Sequence, residues 1–357
     1  GYLDRLEEQL KLAGISYVVF DKVEANPLVG TVMAGGRTAR ENGCDMIVAL
    51  GGGSVIDAAK AIAVMATNGG DYWDYISGGT GKGRAVECRP LPVVAIPTTA
   101  GTGSETDSAC VVTNDRTHEK TGFGHPSLYP VLAVIDPELM TTVPAAFTAY
   151  QGFDALFHSI EGYVSNRANP MSDMYALTAI EHIARYLPMA VNDGNDLGAR
   201  SHVAWGSYLS GVVMCVGGVT SQHSLEHAMS AYHQELPHGA GLVMISRAYF
   251  SHMIEVHACD ERFVRMAQTM GMSEACNGTV RINMSDATKP EAFVKALGKL
   301  QDMCGVADLK MSDYGIRMEE AAAFARNARE TMGRLFLLDR VRISEEDCIR
   351  IYEKSYK

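Results

Sequence analysis

The sequence lacks the features that mark several classes of protein. No apolar run approaches the roughly 20 residues that span a bilayer, and no signal-peptide pattern opens the chain. The eight cysteines are scattered from Cys44 to Cys348 without a C-x-x-C pair, which argues against a disulfide scaffold and a cysteine-rich zinc site. Basic residues are few: 31 lysines and arginines face 42 acidic residues, a net charge of −11. We therefore expect a cytoplasmic protein with neither a nucleic-acid nor a membrane partner.

The 357 residues have the composition of an ordinary globular protein, with 47% apolar and 20% charged residues, and a length that predicts two domains, or three at most. In the first part, short apolar runs alternate with helical patterns. Strands are predicted over 15–20, 46–50, 91–96 and 131–135, and helices over 32–43 and 54–66, the latter capped by Ser54. Wholly apolar strands separated by helices indicate a parallel sheet covered on both faces, whose ligands bind at the carboxyl ends of the strands.

After residue 143 the pattern becomes purely helical. Helical spacing of apolar residues covers 148–165, 171–187, 198–216, 220–233 and 238–256, and no strand is predicted. Pro188 is expected to interrupt the second of these helices. We therefore predict two domains with a boundary near Val143, an α/β domain over 1–143 and an all-helical domain over 144–357.

Two glycine-rich turns follow consecutive predicted strands. The first reads Gly51-Gly52-Gly53-Ser54-x-x-Asp57, where backbone amides and a helix N-terminus favour an anion such as pyrophosphate. It matches neither G-x-G-x-x-G nor the Walker motif, and a tight turn that binds nothing is the alternative. The second turn, 98–104, adds the hydroxyls of Thr98, Thr99 and Thr102, which suit the same dinucleotide.

An aspartate ends the first predicted strand. Asp21 is in a position to accept hydrogen bonds from an adenosine ribose and to repel a 2′-phosphate, which would favour NAD over NADP. A turn or capping aspartate is the alternative interpretation.

The helical part carries a cluster of potential metal ligands. Asp154 and His158 are four residues apart on one predicted helix, His223 and His227 repeat that spacing on a later one, and His238 follows Pro237. A single histidine is more often structural than a ligand, but two such pairs beside a nucleotide-type domain favour a divalent transition metal. One carboxylate with imidazoles suits Fe²⁺ or Zn²⁺, and the order of affinities does not choose between them.

With these residues assembled, the chain resembles the iron-activated (group III) alcohol dehydrogenases over nearly its whole length. The resemblance is carried by G-G-G-S-V-I-D-A-A-K (51–60), I-P-T-T-A-G-T-G-S-E (96–105), G-F-D-A-L-F-H-S-I-E-G-Y-V-S (152–165) and H-S-L-E-H…L-P-H-G-A-G-L (223–242). It implies a dehydroquinate synthase-like fold, with a dinucleotide-binding domain over 1–143 and a metal-binding and substrate domain over 144–357. It also implies a metal, preferably Fe²⁺. The implied reaction interconverts a small primary alcohol or diol and its aldehyde by direct hydride transfer to or from NAD(H).

The resemblance also implies roles for individual residues. It places His227 in the active site, where we expect it to relay the alcohol proton. The implied metal ligands are Asp154, His158, His223 and His238. The implied cofactor residues are Asp21, Gly52, Gly53, Ser54, Asp57, Thr98, Thr99, Thr102 and Lys120.

The sequence departs from the family pattern in places that affect the substrate. Phe157 replaces the usual threonine before a ligand histidine, and Ala109 replaces a residue that is often polar near the nicotinamide. We expect Phe153 and Phe157 to line an apolar pocket for a mostly uncharged substrate. The family usually has a strand and turn before the helix that starts near Gly1, so we expect a truncated chain.

The sequence leaves three alternative functions to compare with this one. A lyase resembling dehydroquinate synthase needs several basic residues for a phosphorylated acid, and the stretch 150–245 contains few. A zinc polyol dehydrogenase of the glycerol type usually lacks a fourth protein ligand. A catalytically silent metal-binding assembly protein would bind the ion without forming NADH. We also expect a homodimer or a larger homo-oligomer.

Overall fold

The computed structural model describes residues 1–271 and 288–357. Five strands are present in this part of the chain: β1 Ile47–Gly51, β2 Val93–Pro97, β3 Ala109–Asn114, β4 Glu119–Gly124 and β5 Leu132–Ala133. β1, β2 and β5 form a parallel sheet in the order β1-β2-β5, while β3 and β4 form a separate antiparallel hairpin. The sheet confirms the strands predicted over 46–50 and 91–96, and β5 covers two residues of the run 131–135.

Twelve α-helices lie within the described residues. Three belong to the first part of the chain: α1 Tyr2–Leu12, α2 Val29–Glu41 and α3 Gly53–Thr67. The others are α4 Ala145–Val164, α5 Pro170–Asn192, α6 Leu197–Gly217, α7 Ser221–Tyr232, α8 His238–Glu255, α9 Asp260–Gly271, α10 Glu291–Met303, α11 Ala321–Phe336 and α12 Glu345–Ser355. This arrangement confirms the predicted fold class, an α/β part followed by an all-helical part.

The strand predicted over 15–20 is wrong, because this segment belongs to neither a helix nor a strand. Val18, Phe20 and Val23 instead line an apolar cavity of about 140 Å³ together with side chains of β1. A cavity between the segment and the sheet leaves the two backbones without ladder hydrogen bonds. Only Phe20 and Val23 pack against the core of the α/β part, while Ile15, Val18 and Val19 stay exposed, so the β-branched run is not used for strand pairing.

The hairpin of β3 and β4 was not predicted. Its strands pair from Ala109 opposite Gly124 to Asn114 opposite Glu119, and the backbone between them turns through His118 with a positive φ of 52°. β4 packs against the helices α7 and α11. The hairpin therefore joins the α/β part to the helical part, beside the ends of the sheet strands.

Two local expectations about the helices also differ from the structure. α3 is capped by Gly52 and begins at Gly53, so Ser54 lies in its first turn and is not the N-cap. Pro188 lies inside α5, which continues to Asn192. These two differences leave the helices themselves as predicted, and each half has its own apolar core.

No single described helix has the length and apolar composition to cross a bilayer, although α6 and α7, bent by 109° to each other, meet both criteria as a pair.

Candidate active site

Three buried helices bring the predicted metal ligands together. Oδ1 of Asp154 lies 3.4 Å from Nε2 of His158, one turn further along α4. The same oxygen lies 3.5 Å from Nε2 of His223 on α7 and 3.4 Å from Nε2 of His238 at the start of α8. Ligand atoms of Asp154, His223 and His238 all lie within 4.8 Å of one another. One carboxylate oxygen thus stands at the centre of three imidazole nitrogens.

Two of the atoms that point into this cluster have no hydrogen-bond partner. Oδ1 of Asp154 and Nε2 of His223 are buried and form no hydrogen bond with any described residue. Buried polar atoms are almost always paired, so orphans that converge on one point indicate a ligand there. A set of imidazole nitrogens and one carboxylate fits a divalent transition metal.

Two glutamates hold the outer nitrogens of the histidine rings. Nδ1 of His223 pairs with Oε1 of Glu161 at 2.5 Å, and Nδ1 of His238 pairs with Glu226. Such carboxylates fix the tautomer and the orientation of a ligating imidazole. Sequence reasoning missed both residues. Their spacing carried the signal, since Glu161 and Glu226 lie three residues after His158 and His223, on the ligand-bearing faces of α4 and α7.

The electrostatics of the cluster favour a cation. Burial raises the pKa of Asp154, but the surrounding imidazoles outweigh it and hold the pKa well below its usual range. Burial lowers the pKa of His158 to about 3, so this ring is neutral. Burial also opposes protonation of His223, yet the Glu161 carboxylate raises its pKa to about 10. A metal bound here would therefore displace a proton from His223.

His227 and Lys120 lie at the edge of the cluster. The ring centroid of His227 is 5.1 Å from that of His238, and burial together with the Lys120 ammonium lowers its pKa well below 6.5. Nζ of Lys120 donates to Ser230 Oγ at 2.9 Å and lies 3.6 Å from Glu226. Lys120 therefore faces the carboxylate that supports His238, and His227 is a neutral imidazole.

The two glycine-rich turns meet at the carboxyl ends of β1 and β2, as predicted. The amide of Thr98 donates to the carbonyl of Gly51 at 3.0 Å. A Cβ on Gly52 would lie 3.2 Å from Thr99, and one on Gly53 only 2.2 Å from Thr102. The turns are thus packed backbone against side chain, which only glycine permits at Gly53.

Asp57 lies behind these turns and is used internally. One carboxylate oxygen accepts from Ser104 Oγ at 2.6 Å and the other from the amide of Val111 at 2.9 Å. Burial raises the pKa of Asp57 to about 6, against the opposing effect of Lys60. Asp21 is exposed and stands apart from this network.

A cavity of about 400 Å³ joins the first turn to the metal cluster. It is lined by Gly53, Ser54 and Thr102 on one side and by all four predicted ligands and His227 on the other. The expectation that Phe153 and Phe157 line this pocket is wrong. Both are fully buried in the helical core, and Phe157 stacks on Phe250, because their positions on α4 face away from the cavity.

Comparison with known proteins identifies the family. Residues 1–137 match the model described as iron-containing alcohol dehydrogenase, and residues 148–356 match the C-terminal model of the same family. The chain belongs to the iron-containing alcohol dehydrogenase family. The expected class of enzyme, an oxidoreductase acting on alcohols, is thereby confirmed.

Named relatives of this alcohol dehydrogenase act on short alcohols and diols. This chain is 34% identical over 333 residues to the NAD-dependent methanol dehydrogenase of Bacillus methanolicus, and the match covers 92% of this chain and 82% of that one. It is 38% identical over 319 residues to 1,3-propanediol dehydrogenase of Klebsiella pneumoniae, covering 89% and 78%. The crystal structure of an archaeal halo-thermophilic alcohol dehydrogenase from a Red Sea brine pool superimposes with a TM-score of 0.89 at 31% identity, covering 99% and 88%.

We expect Gly53→Ala to destabilise this dehydrogenase and to raise its KM for NAD⁺. The new methyl group would overlap the β-branched Thr102, whose side chain has little freedom to move, at a cost of about 1–3 kcal/mol. Gly30→Ala is the matched control, since no atom lies within 4 Å of its added Cβ in α2. Urea unfolding and NAD⁺ saturation curves measure both effects. Unchanged values for Gly53→Ala would mean that the two turns are not packed as described.

Proposed function

We propose that this dehydrogenase interconverts a small primary alcohol or diol and its aldehyde with NAD(H). The observation that carries the proposal is the convergence of orphaned ligand atoms and paired glycine turns on one cavity. The cluster of metal ligands and the anion-binding glycine turn thus open onto the same cavity, which one alcohol and one cofactor share. Relatives described as methanol and 1,3-propanediol dehydrogenases support the choice of short alcohols.

The residues that would hold the metal are Asp154, His158, His223 and His238. Their donor set suits Fe²⁺ or Zn²⁺, and the name of the family favours iron. A divalent ion there supplies Lewis acidity toward the oxygen of the alcohol or aldehyde. Glu161 and Glu226 keep the rings of His223 and His238 in the ligating orientation.

The first glycine turn would bind the pyrophosphate of the cofactor at the N-terminus of α3. Asp57 would support this turn from behind, and Lys120, which lines the cavity at the edge of the metal cluster, would lie near the ribose of the cofactor. Asp21 is proposed to contact the adenosine ribose, which would favour NAD over NADP. The residues proposed to hold NAD are Asp21, Gly52, Gly53, Ser54, Asp57, Thr98, Thr99, Thr102 and Lys120.

His227 is proposed to carry the alcohol proton away from the reacting oxygen. A neutral imidazole is able to accept a proton, and Nδ1 of His227 is buried without a partner among the described residues. Enclosure by α4, α7 and α8 would keep bulk water from the reacting atoms.

Three properties of the whole protein are also proposed. The boundary between the two domains lies near Val143, between the last strand and α4. The seven described cysteines are all unpaired, which supports a cytoplasmic location. Exposed apolar side chains at β5 and on α6, among them Val131, Leu132 and Trp205, support a homo-oligomer.

The proposed function predicts NADH formation by the iron-loaded protein with short alcohols or diols. We expect a rise in absorbance at 340 nm with NAD⁺, a weaker one with NADP⁺, and none after the metal is chelated. The same protein reloaded with Zn²⁺ compares the two metals. A metal-loaded protein that forms no NADH with any alcohol or diol from one to six carbons would contradict the proposal.

A further inference from the structure

One wall of the active-site cavity carries a positive charge that the proposed reaction does not use. Arg334 lies on α11 and lines the cavity together with the ligands His223 and His238. Its Nη2 donates to the carbonyl of Gly122 on β4 at 2.6 Å. A Cβ on Gly122 would lie 3.3 Å from that nitrogen, so the glycine gives the guanidinium its room.

A break in α11 delivers Arg334 to this place. Met332 has non-helical angles, φ −125° and ψ 32°, in the middle of the helix. The carbonyl of Met332 accepts from Ser224 Oγ at 3.1 Å, and Ser224 directly follows the ligand His223. The distorted turn is therefore fastened to the metal-binding helix α7. Arg334 lies two residues after Met332 and thus just beyond the turn that is bonded to α7.

The acidic groups of the cavity are all occupied elsewhere. Asp107 pairs with Lys60 at 2.8 Å, Asp57 accepts from Ser104 and Val111, and Asp154 is surrounded by histidines. Arg334 forms no ion pair with any carboxylate among the described residues, and its hydrogen bond to Gly122 leaves most of its five N–H donors unused there. Arg334 is exposed at the rim of the cavity, where the protein on one side of its guanidinium lowers its pKa. A cation that lines a cavity without a counter-charge gains from an anion that enters the cavity.

Part of the cavity wall is apolar. Its apolar lining residues include Met332 and Leu335 of α11, next to Arg334, and Met214 and Val219. A short carbon chain with one charged end matches such a surface, since the chain contacts the apolar wall and the charge meets the fork of donors.

We propose that Arg334 determines specificity by binding an oxyanion, such as a carboxylate or sulfonate, at the end of the substrate remote from the reacting alcohol or aldehyde. The inference rests on the proposed function and narrows its substrate class from small alcohols to short hydroxy acids and their aldehydes. The pyrophosphate of NAD has its own candidate site at Gly53 and Ser54, so the cofactor does not need this charge.

The test compares matched aldehydes on the iron-loaded enzyme. 4-Oxobutanoate and sulfoacetaldehyde carry the anion, and pentanal and propanal are their neutral counterparts; NADH consumption is followed at 340 nm. We expect the wild type to favour at least one anionic aldehyde over its counterpart. Because a hydrogen bond to a charged group is lost, Arg334→Met should lower kcat/KM for that aldehyde by roughly 10- to 100-fold. Turnover of the neutral aldehydes should change little.

A binding measurement separates positioning of the substrate from general damage. Calorimetric titration with succinate, which is not reduced, should detect binding to the wild type and to Arg326→Met, and none to Arg334→Met. Arg326 is an exposed arginine two turns earlier on α11 and outside the cavity. Arg334→Lys should retain part of the preference, since it keeps the charge but not the planar fork.

Three results would overturn the inference. One is a wild type that reduces the neutral aldehydes and prefers neither anionic one; this leaves the proposed function intact. Another is an Arg334→Met variant that loses all four aldehydes equally. The third is an Arg334→Met variant whose main defect is a raised KM for NADH, which would assign Arg334 to cofactor binding. A wild type that reduces no aldehyde at all contradicts the proposed function itself.

Discussion

Replacing His238 by alanine should leave the protein without bound iron and lower kcat by about 10³-fold or more, because Lewis-acid stabilisation contributes several kcal/mol. His238 is the ligand that closes the cluster from α8, with Nε2 3.4 Å from Asp154 Oδ1. Its removal takes away one imidazole and also releases Glu226, which pairs with its other nitrogen. Metal content by plasma mass spectrometry and steady-state turnover on the same sample measure the two effects.

His252→Ala is the control for this experiment. It removes an imidazole from the same helix, α8, at a site that lies outside the cavity and 3.9 Å from Asp347. We expect it to keep a full complement of iron and turnover close to that of the wild type. An His238→Ala protein that retains iron and turns over at a near-normal rate would show that the cation is held by other residues.

Local patterns predicted those parts of the site that depend on spacing within one element. Asp154 and His158 share a helix face because they are four residues apart, and the glycine turns follow strands whose apolar runs identified them. The same reasoning failed where contacts with distant parts of the chain decide the local structure. The run over 15–20 has strand-forming residues, but strand pairing depends on a neighbouring backbone that no local pattern describes.

Long-range packing explains the remaining differences. Phe153 and Phe157 lie next to ligand residues in the sequence, yet the rotation of α4 turns them into the core beside Phe250. Arg334 lies more than 90 positions from the last ligand, and it reaches the cavity only through the break at Met332. Neither placement has a signature in the order of residues. Glu161 and Glu226, in contrast, lay within reach of the helical spacing argument.

Lys60→Met should lower the free energy of unfolding by about 3–5 kcal/mol, the range found when one partner of a buried ion pair is removed. Lys60 is fully buried in α3, and its three N–H donors face four oxygens at 2.7–2.8 Å, those of Asp107, of Ser104 (carbonyl and hydroxyl) and of the Ala109 carbonyl. Methionine keeps most of the apolar stem but leaves the Asp107 carboxylate buried without its cation. The second glycine turn then also loses the ammonium that binds Ser104.

An exposed ion pair of nearly the same length, Lys82–Asp74, is the control for this prediction. Nζ of Lys82 lies 2.7 Å from Asp74, but the Lys82 side chain is 72% exposed, so Lys82→Met should cost at most about 1 kcal/mol. Urea unfolding of both variants measures the difference that burial alone makes. Adding Asp107→Asn to Lys60→Met should restore part of the lost stability, because the uncompensated charge is then gone. A Lys60→Met protein as stable as Lys82→Met would mean that this lysine does not bind the two elements together.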